Sequence, residues 1–320
     1  MNANFLDTGL WGWYILLSRI SQKKEESAMQ HRKFFTVLAT TLFLLTFIAG
    51  QASSDSVTLK NGITLRYITV GNGPIPIIFI HGYSFSADAW EKVLVKLPSQ
   101  YTAYAYDLRG FGDSSKPDKG YTIPDFVEDL AQFMDVKKIP KAVLVGHSLG
   151  GIFLQDFAVA YPERVMALVL SNAQARHKDT GGKVPEGIAK RIASYGDKEA
   201  NRKIFEVSTP SYFKAGNLTE ADKNRFMETN LKSATPALKE AFECLFTTPA
   251  IPPDRFARIK APTLVVTSTH DIVPFTVATA LSEGIPQCLI FVVERAGHTP
   301  MWERPDRFCQ GVFQFLYSVL

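Results

Sequence analysis

The chain has 320 residues, of which 46% are hydrophobic and 21% charged, and carries a net charge of +4. This is ordinary globular composition, enough for one large or two modest domains. Residues 1–52 hold five basic and three acidic side chains, so the remainder is close to neutral and offers no electrostatic reason for a nucleic-acid or acidic partner; a small-molecule enzyme or a binding domain is what remains.

Met29-Gln-His-Arg-Lys33 opens sixteen mostly apolar residues, Phe34 to Ala49, which end in Gly50-Gln51-Ala52. A basic start, an apolar middle and a small-x-small end describe a secretory signal peptide over residues 29–52, cleaved after Ala52, and hence an exported protein, periplasmic or secreted. The run is short against the ~20 residues of a membrane span. A retained anchor is the alternative, and the only case in which a membrane would be a partner. Residues 1–28 fit no part of such a signal and read as an upstream extension, with Met29 as the true start.

Val57 to Lys60 and Ile63 to Val70 flank Asn61-Gly62, which predicts a hairpin with a type I′ turn. Ile75 to Ile80 reads as a buried strand. Ser86 then caps a helix that presents Trp90, Val93, Leu94 and Leu97 on one face. A strand from Tyr101 to Tyr106 runs into Asp107-Leu-Arg-Gly110, where Asp107 and Arg109 are expected to brace the loop by ion pairing. Thr122 caps the next helix, with Pro124 and Asp125 in its first turn. Val143 to Val145 is another buried-type strand, followed by a helix to about Tyr161 and a strand from Met166 to Ser171.

From about Arg176 to Ile259 the alternation stops. Thr219 and Thr235 read as helix caps, and Leu238, Phe242 and Leu245 form a stripe at helical spacing. Residues 176–259 are therefore a helical insertion, a cap, between two parts of a core formed by 53–175 and 260–320. Strands resume at Pro262 to Ser268 and Leu289 to Val293, and a last helix follows Pro305. The fold class is α/β: a doubly wound, mostly parallel sheet of about eight strands carrying a helical cap. Cys244, Cys288 and Cys309 match no metal-site spacing. They read best as small buried hydrophobes, with Cys288 and Cys309 the pair to watch for a disulfide.

The richest motif is Gly146-His147-Ser148-Leu149-Gly150, a G-x-S-x-G pentapeptide between a buried strand and a helix. That is the setting of a nucleophile elbow, in which the serine sits on a sharp turn and its hydroxyl stands clear of the sheet. A purely structural glycine-rich turn is the bland alternative. Glycines at 146, 150 and 151 would let helix and strand approach closely.

Together with His81-Gly82-Tyr83, Asp107-Leu-Arg-Gly-Phe-Gly-Asp-Ser114, His270-Asp271-Ile-Val-Pro274, Ala296-Gly297-His298 and Glu303-Arg304-Pro305, this elbow resembles the α/β-hydrolase fold family over residues 55–320. The family order of nucleophile, acid and base implies Ser148, Asp271 and His298. The last two follow predicted strands and so fall on the same sheet edge as Ser148. The resemblance also implies the backbone N–H groups of Tyr83 and Leu149 as the oxyanion hole, each such donor lowering the barrier by ~3 kcal/mol.

His81 and His147 read as loop-holding neighbours of the motifs, His270 as exposed or structural, and His177 as a loop residue at the mouth of the insertion. Asp113 and Asp271 have no companions at metal-ligand spacing, so neither a metal nor a cofactor is expected. A serine at the elbow, where epoxide- and halide-displacing relatives carry aspartate, points to an acyl-enzyme. The expected substrates are carboxylic esters, lactones or thioesters of small to medium, largely apolar acids, with the cap aromatics Tyr195, Tyr212, Phe213, Phe226 and Phe242 among the pocket candidates. The alternatives are a cofactor-free perhydrolase of the haloperoxidase type and a small-molecule receptor without turnover.

Overall fold

The computed structural model describes residues 53–175, 183–213, 218–248, 251 and 253–320. The expected upstream extension, the expected signal segment and His177 lie outside them. Eight strands form one sheet: β1 (Ser53–Thr58), β2 (Thr64–Val70), β3 (Ile75–Ile80), β4 (Tyr101–Tyr106), β5 (Ala142–His147), β6 (Val165–Ser171), β7 (Thr263–Ser268) and β8 (Cys288–Val293). Their order is β1-β2-β4-β3-β5-β6-β7-β8. The β1–β2 and β2–β4 pairs are antiparallel and all others parallel. The expected mostly parallel sheet is therefore present.

The central strands are apolar on both faces because helices cover both. On β3, Ile77 and Phe79 point to the side that holds Trp90, Phe308 and Val312. Ile78 and Ile80 point to the other side, with Phe126, Phe153 and Phe157. This period of two splits the core into two layers. Each large side chain so buried contributes about 1.5–3 kcal/mol of transfer free energy.

The first helix, α1 (Glu91–Leu94), follows a 3₁₀ turn whose Ser86 hydroxyl accepts from the Asp88 N–H. α2 (Ile123–Val136) starts on a capping box between Thr122 and Asp125. α3 (Leu149–Ala160) starts directly after Ser148. The insertion contributes α4 (Glu186–Ser194), α5 (Lys198–Tyr212), α6 (Glu220–Asn230), α7 (Thr235–Thr247) and α8 (Pro253–Phe256). The chain then adds α9 (Phe275–Gly284), α10 (Pro300–Glu303) and α11 (Pro305–Val319). Among the described residues no helix is long and apolar enough to cross a membrane.

Several local expectations need correction. The hairpin turn is not type I′, which requires positive φ at both central residues. Only Gly62 has it, at +84°. Asn61 is instead recruited by α2, its Nδ2 donating to Asp129 Oδ1 at 2.9 Å and its N–H to Gln132 Oε1 at 3.0 Å. Asp107 and Arg109 do not pair with each other. Asp107 accepts from the Ala87 and Asp113 N–H groups and lies 3.4 Å from Arg66, while Arg109 pairs with Asp129 at 2.5 Å. Both do tie down the loop, through separate partners. Thr235 is the first residue of α7 rather than its cap, because its hydroxyl donates to the Gly196 carbonyl. No disulfide joins the three cysteines, of which Cys244 and Cys309 are buried and Cys288 partly so.

Candidate active site

β5 delivers the chain into Ser148 with φ 48° and ψ −117°, a combination that side chains rarely adopt. The turn is held on both sides. The Ser148 N–H donates to the Ser171 carbonyl at 2.9 Å, and the Ser148 carbonyl accepts from Ile152 in the first turn of α3. The strain lifts the hydroxyl over the carboxyl end of the sheet, where the loops after β7 and β8 also arrive.

Those two loops bring Asp271 and His298 to the same place. His298 Nε2 lies 3.0 Å from Ser148 Oγ, and His298 Nδ1 lies 2.7 Å from Asp271 Oδ1. A carboxylate only accepts, so Nδ1 carries the proton and Nε2 presents its lone pair to the serine hydroxyl. Both side chains are almost fully buried, His298 at 5% exposure and Asp271 at 1%.

Asp271 is held by more than the histidine. Its Oδ1 also accepts from the Val273 N–H at 3.1 Å, and its Oδ2 accepts from Asn172 Nδ2 at 2.6 Å. Asn172 follows β6 in a left-handed conformation, φ 51°. Ser171 Oγ donates to its Oδ1 at 2.8 Å, which fixes the amide with its nitrogen toward Asp271. No motif marks Asn172. The usable signal is its position one residue past a parallel strand, on the edge where such sheets place their sites. Glu303 is a second support: its Oε1 accepts from Gly297 N–H at 2.8 Å, tying down the loop that carries His298.

The His81–Tyr83 loop lies against the elbow. A Cβ placed on Gly82 would come 2.6 Å from His147 Nδ1 and 3.1 Å from Ser148 Cβ, so only glycine fits there. This brings the Tyr83 backbone beside Ser148, on the side where α3 begins with Leu149. Neither the Tyr83 nor the Leu149 N–H donates to a backbone carbonyl of the described residues.

His81 and His147 are buried supports. His81 Nε2 accepts from the Leu108 N–H at 2.9 Å and its Nδ1 donates to the Gly82 carbonyl at 2.7 Å. Burial pushes its pKa down to about 4. His147 Nε2 donates to the His298 carbonyl at 2.7 Å. Burial, then the nearby His298, hold His147 well below the ordinary histidine range, so it is a neutral donor. His270 is exposed. Asp113 pairs with Lys232 at 2.8 Å.

The insertion closes over these groups. The Tyr212 carbonyl, at the end of α5, accepts from the His298 N–H at 2.8 Å, and the Tyr212 ring centroid lies 5.7 Å from that of His298. The Tyr83 hydroxyl donates to the Leu238 carbonyl at 2.7 Å, its ring packing on Phe242. Burial raises the Tyr83 pKa well above its ordinary value, so the phenol keeps its proton. Phe213 and Phe226 turn away to pack with Phe85 and Trp302, fastening cap to core. A hydroxyl with a base at hydrogen-bonding distance, and a carboxylate behind that base, is an arrangement able to generate a serine nucleophile.

The model of the Alpha/beta hydrolase family matches residues 77–310. The chain is 31% identical to a 2-hydroxy-6-oxononadienedioate/2-hydroxy-6-oxononatrienedioate hydrolase of Burkholderia vietnamiensis, over 83% of this chain and 96% of that protein. Among solved structures it resembles a thermophilic esterase from Thermogutta terrifontis (TM-score 0.72, 26% identity, 84% of this chain and 99% of the other). It also resembles a membrane phospholipase A, a bacterial virulence factor (TM-score 0.70, 25% identity, 96% of this chain and 98% of the other). On the family match, the sheet order and the strand-to-helix turn at Ser148, this chain is a member of the alpha/beta hydrolase family.

Proposed function

We propose that the protein is a serine hydrolase of carboxylic esters, with Ser148 as nucleophile, His298 as base and Asp271 as the group that orients and stabilises that base. The observation that carries this reading is the continuous hydrogen-bonded line from Ser148 Oγ through His298 to Asp271, at 3.0 and 2.7 Å. Ser148 Oγ attacks the ester carbonyl carbon as its proton passes to His298 Nε2. The carbonyl oxygen becomes an oxyanion that accepts from the Tyr83 and Leu149 N–H groups. Collapse breaks the bond to the alcohol, which leaves with the proton from His298. Water then gives a proton to His298 and its oxygen to the acyl carbon, which frees the acid and restores Ser148.

Hydrolysis of p-nitrophenyl esters of increasing acyl length, by the wild type and by Ser148→Ala, tests this. Turnover that falls by about 10⁴-fold or more in the variant supports the serine mechanism, and the preferred length sizes the pocket. A folded wild type that turns over none of them removes the reading. Peroxide-dependent halogenation of a dye would then favour the perhydrolase, and saturable binding without turnover the receptor.

A second reading concerns where the enzyme works. The basic start, apolar run and small-x-small end of residues 29–52 support a cleaved export signal, and a retained anchor at 34–49, with membrane lipid esters as substrates, is the alternative. Mass spectrometry of the native N-terminus, with fractionation after alkaline washing, separates the two. A mature chain beginning at Ser53 in the soluble fraction would exclude the anchor.

A further inference from the structure

Arg191 stands on α4, in the insertion, and differs from the arginines that have a counter-ion. Arg66, Arg109, Arg164 and Arg225 each pair with a carboxylate, at 3.0, 2.5, 2.9 and 2.5 Å. Among the described residues no carboxylate pairs with the Arg191 guanidinium, and the neighbours that bond or stack on it are neutral. Its Nε donates to the Tyr195 hydroxyl at 3.2 Å, its central carbon lies 4.8 Å from the Phe242 ring centroid, and the Tyr212 phenol is a further hydrogen-bonding neighbour. Nη2 is buried and has no partner among the described residues. A guanidinium partly withdrawn from water, with no counter-ion among the described residues, is costly, and the bare Nη2 adds to that cost. Such a site is satisfied when an anion arrives.

Its neighbours connect it to both sides of Ser148. The Tyr195 phenol hydrogen-bonds to that of Tyr83, whose backbone lies beside the elbow. The Tyr212 ring lies against His298. Two phenols that now occupy the guanidinium are weaker partners than a carboxylate or phosphate, which binds it through charge-assisted and often paired hydrogen bonds. An incoming anion therefore displaces or joins them.

We propose that Arg191 is the recognition point for an anionic oxyacid group, carboxylate or phosphate, carried by the substrate at a distance from the ester. This rests on the ester hydrolase reading and narrows it, from apolar esters in general to esters with a charged end.

The test uses the full chain and two matched series. One compares p-nitrophenyl hemiesters of succinate, glutarate and adipate with the neutral butyrate, valerate and hexanoate, so that the charge lies on the acyl side. The other compares monobutyryl glycerol 3-phosphate with monobutyryl glycerol, so that it lies on the leaving side. In at least one series the wild type is expected to favour the charged ester. In Arg191→Met the ratio of charged to neutral kcat/KM should fall by about tenfold or more, mainly through KM, and Arg191→Lys should recover part of it. The series that responds identifies the source of the anion.

A ratio that Arg191→Met leaves unchanged in both series would overturn the proposal, since a strut holding Tyr195 would lower both esters alike. Calorimetric titration of wild type and Arg191→Met with succinate and with inorganic phosphate reads the site without turnover. Binding lost in the variant supports the anion site even if no ester is hydrolysed, in which case the ester hydrolase reading alone fails. No binding of either anion, together with no preference for a charged ester, removes it.

Discussion

The Asn172 amide nitrogen lies 2.6 Å from Asp271 Oδ2, on the carboxylate oxygen that His298 does not use. The acid behind the base is thus gripped from two sides, and the amide withdraws part of its charge. Asn172→Gly keeps the left-handed backbone accessible and removes this donor, together with the amide's contacts to Ser171 Oγ and Ser268 Oγ. We expect kcat to fall about 10- to 100-fold, the loss of one hydrogen bond to a charged group. An unchanged kcat would assign Asn172 to scaffolding alone.

The backbone at Ser148 stores strain of order 1–3 kcal/mol. Ser148→Ala retains the Cβ that causes it, whereas Ser148→Gly does not. Both variants should be inactive, but urea unfolding should find the glycine variant more stable than the alanine variant by about 1–2 kcal/mol. Equal midpoints would mean that the turn relaxes without help.

Gly82 is the tightest contact between the oxyanion-side loop and the elbow. Gly82→Ala must push the loop away from His147 Nδ1, which would stand 2.6 Å from the new methyl, and carries the Tyr83 N–H with it. One displaced oxyanion donor lowers kcat by about 10²–10³-fold. KM should change far less, and a burst experiment with a p-nitrophenyl ester would show slowed acylation. A variant with wild-type acylation would place the oxyanion donors elsewhere.

The core also sets a pH dependence of stability. His81 titrates near pH 4 in the folded protein and near 6.5 when unfolded. Between those values the unfolded chain binds a proton that the folded one refuses. Stability therefore declines as pH drops from about 6.5 to about 4, by roughly 3 kcal/mol in all, and levels off below. His147 is shifted in the same direction. Urea midpoints at pH 7.0 and 4.5 should reveal this loss, and His81→Gln should shrink it.

What could be read in the linear chain follows from which interactions are local. Parallel strands buried on both faces appear as unbroken apolar runs, and Ser86, Thr122 and Thr219 announce helices because a cap acts within three residues. Ser148, Asp271 and His298 could be drawn together because each follows a strand ending on one edge. The misreadings arise where a side chain bonds far along the chain. Asn61 keeps its Oδ1 on the Ile63 N–H of its own turn but sends its Nδ2 to Asp129, 68 residues on, and Asp107 takes Arg66, 41 residues back, instead of its near neighbour. Asn172 finds Asp271 across 99 residues, and nothing in the local sequence encodes that distance. Arg191 was equally silent, since what sets it apart is that no carboxylate among the described residues pairs with it.

One backbone hydrogen bond places the insertion inside the chemistry. The N–H of His298 is satisfied by the carbonyl of Tyr212, the last residue of α5. On the proposed mechanism, any displacement of the end of α5 pulls on the peptide that carries His298, so the position of the insertion and the alignment of the base are set by one bond.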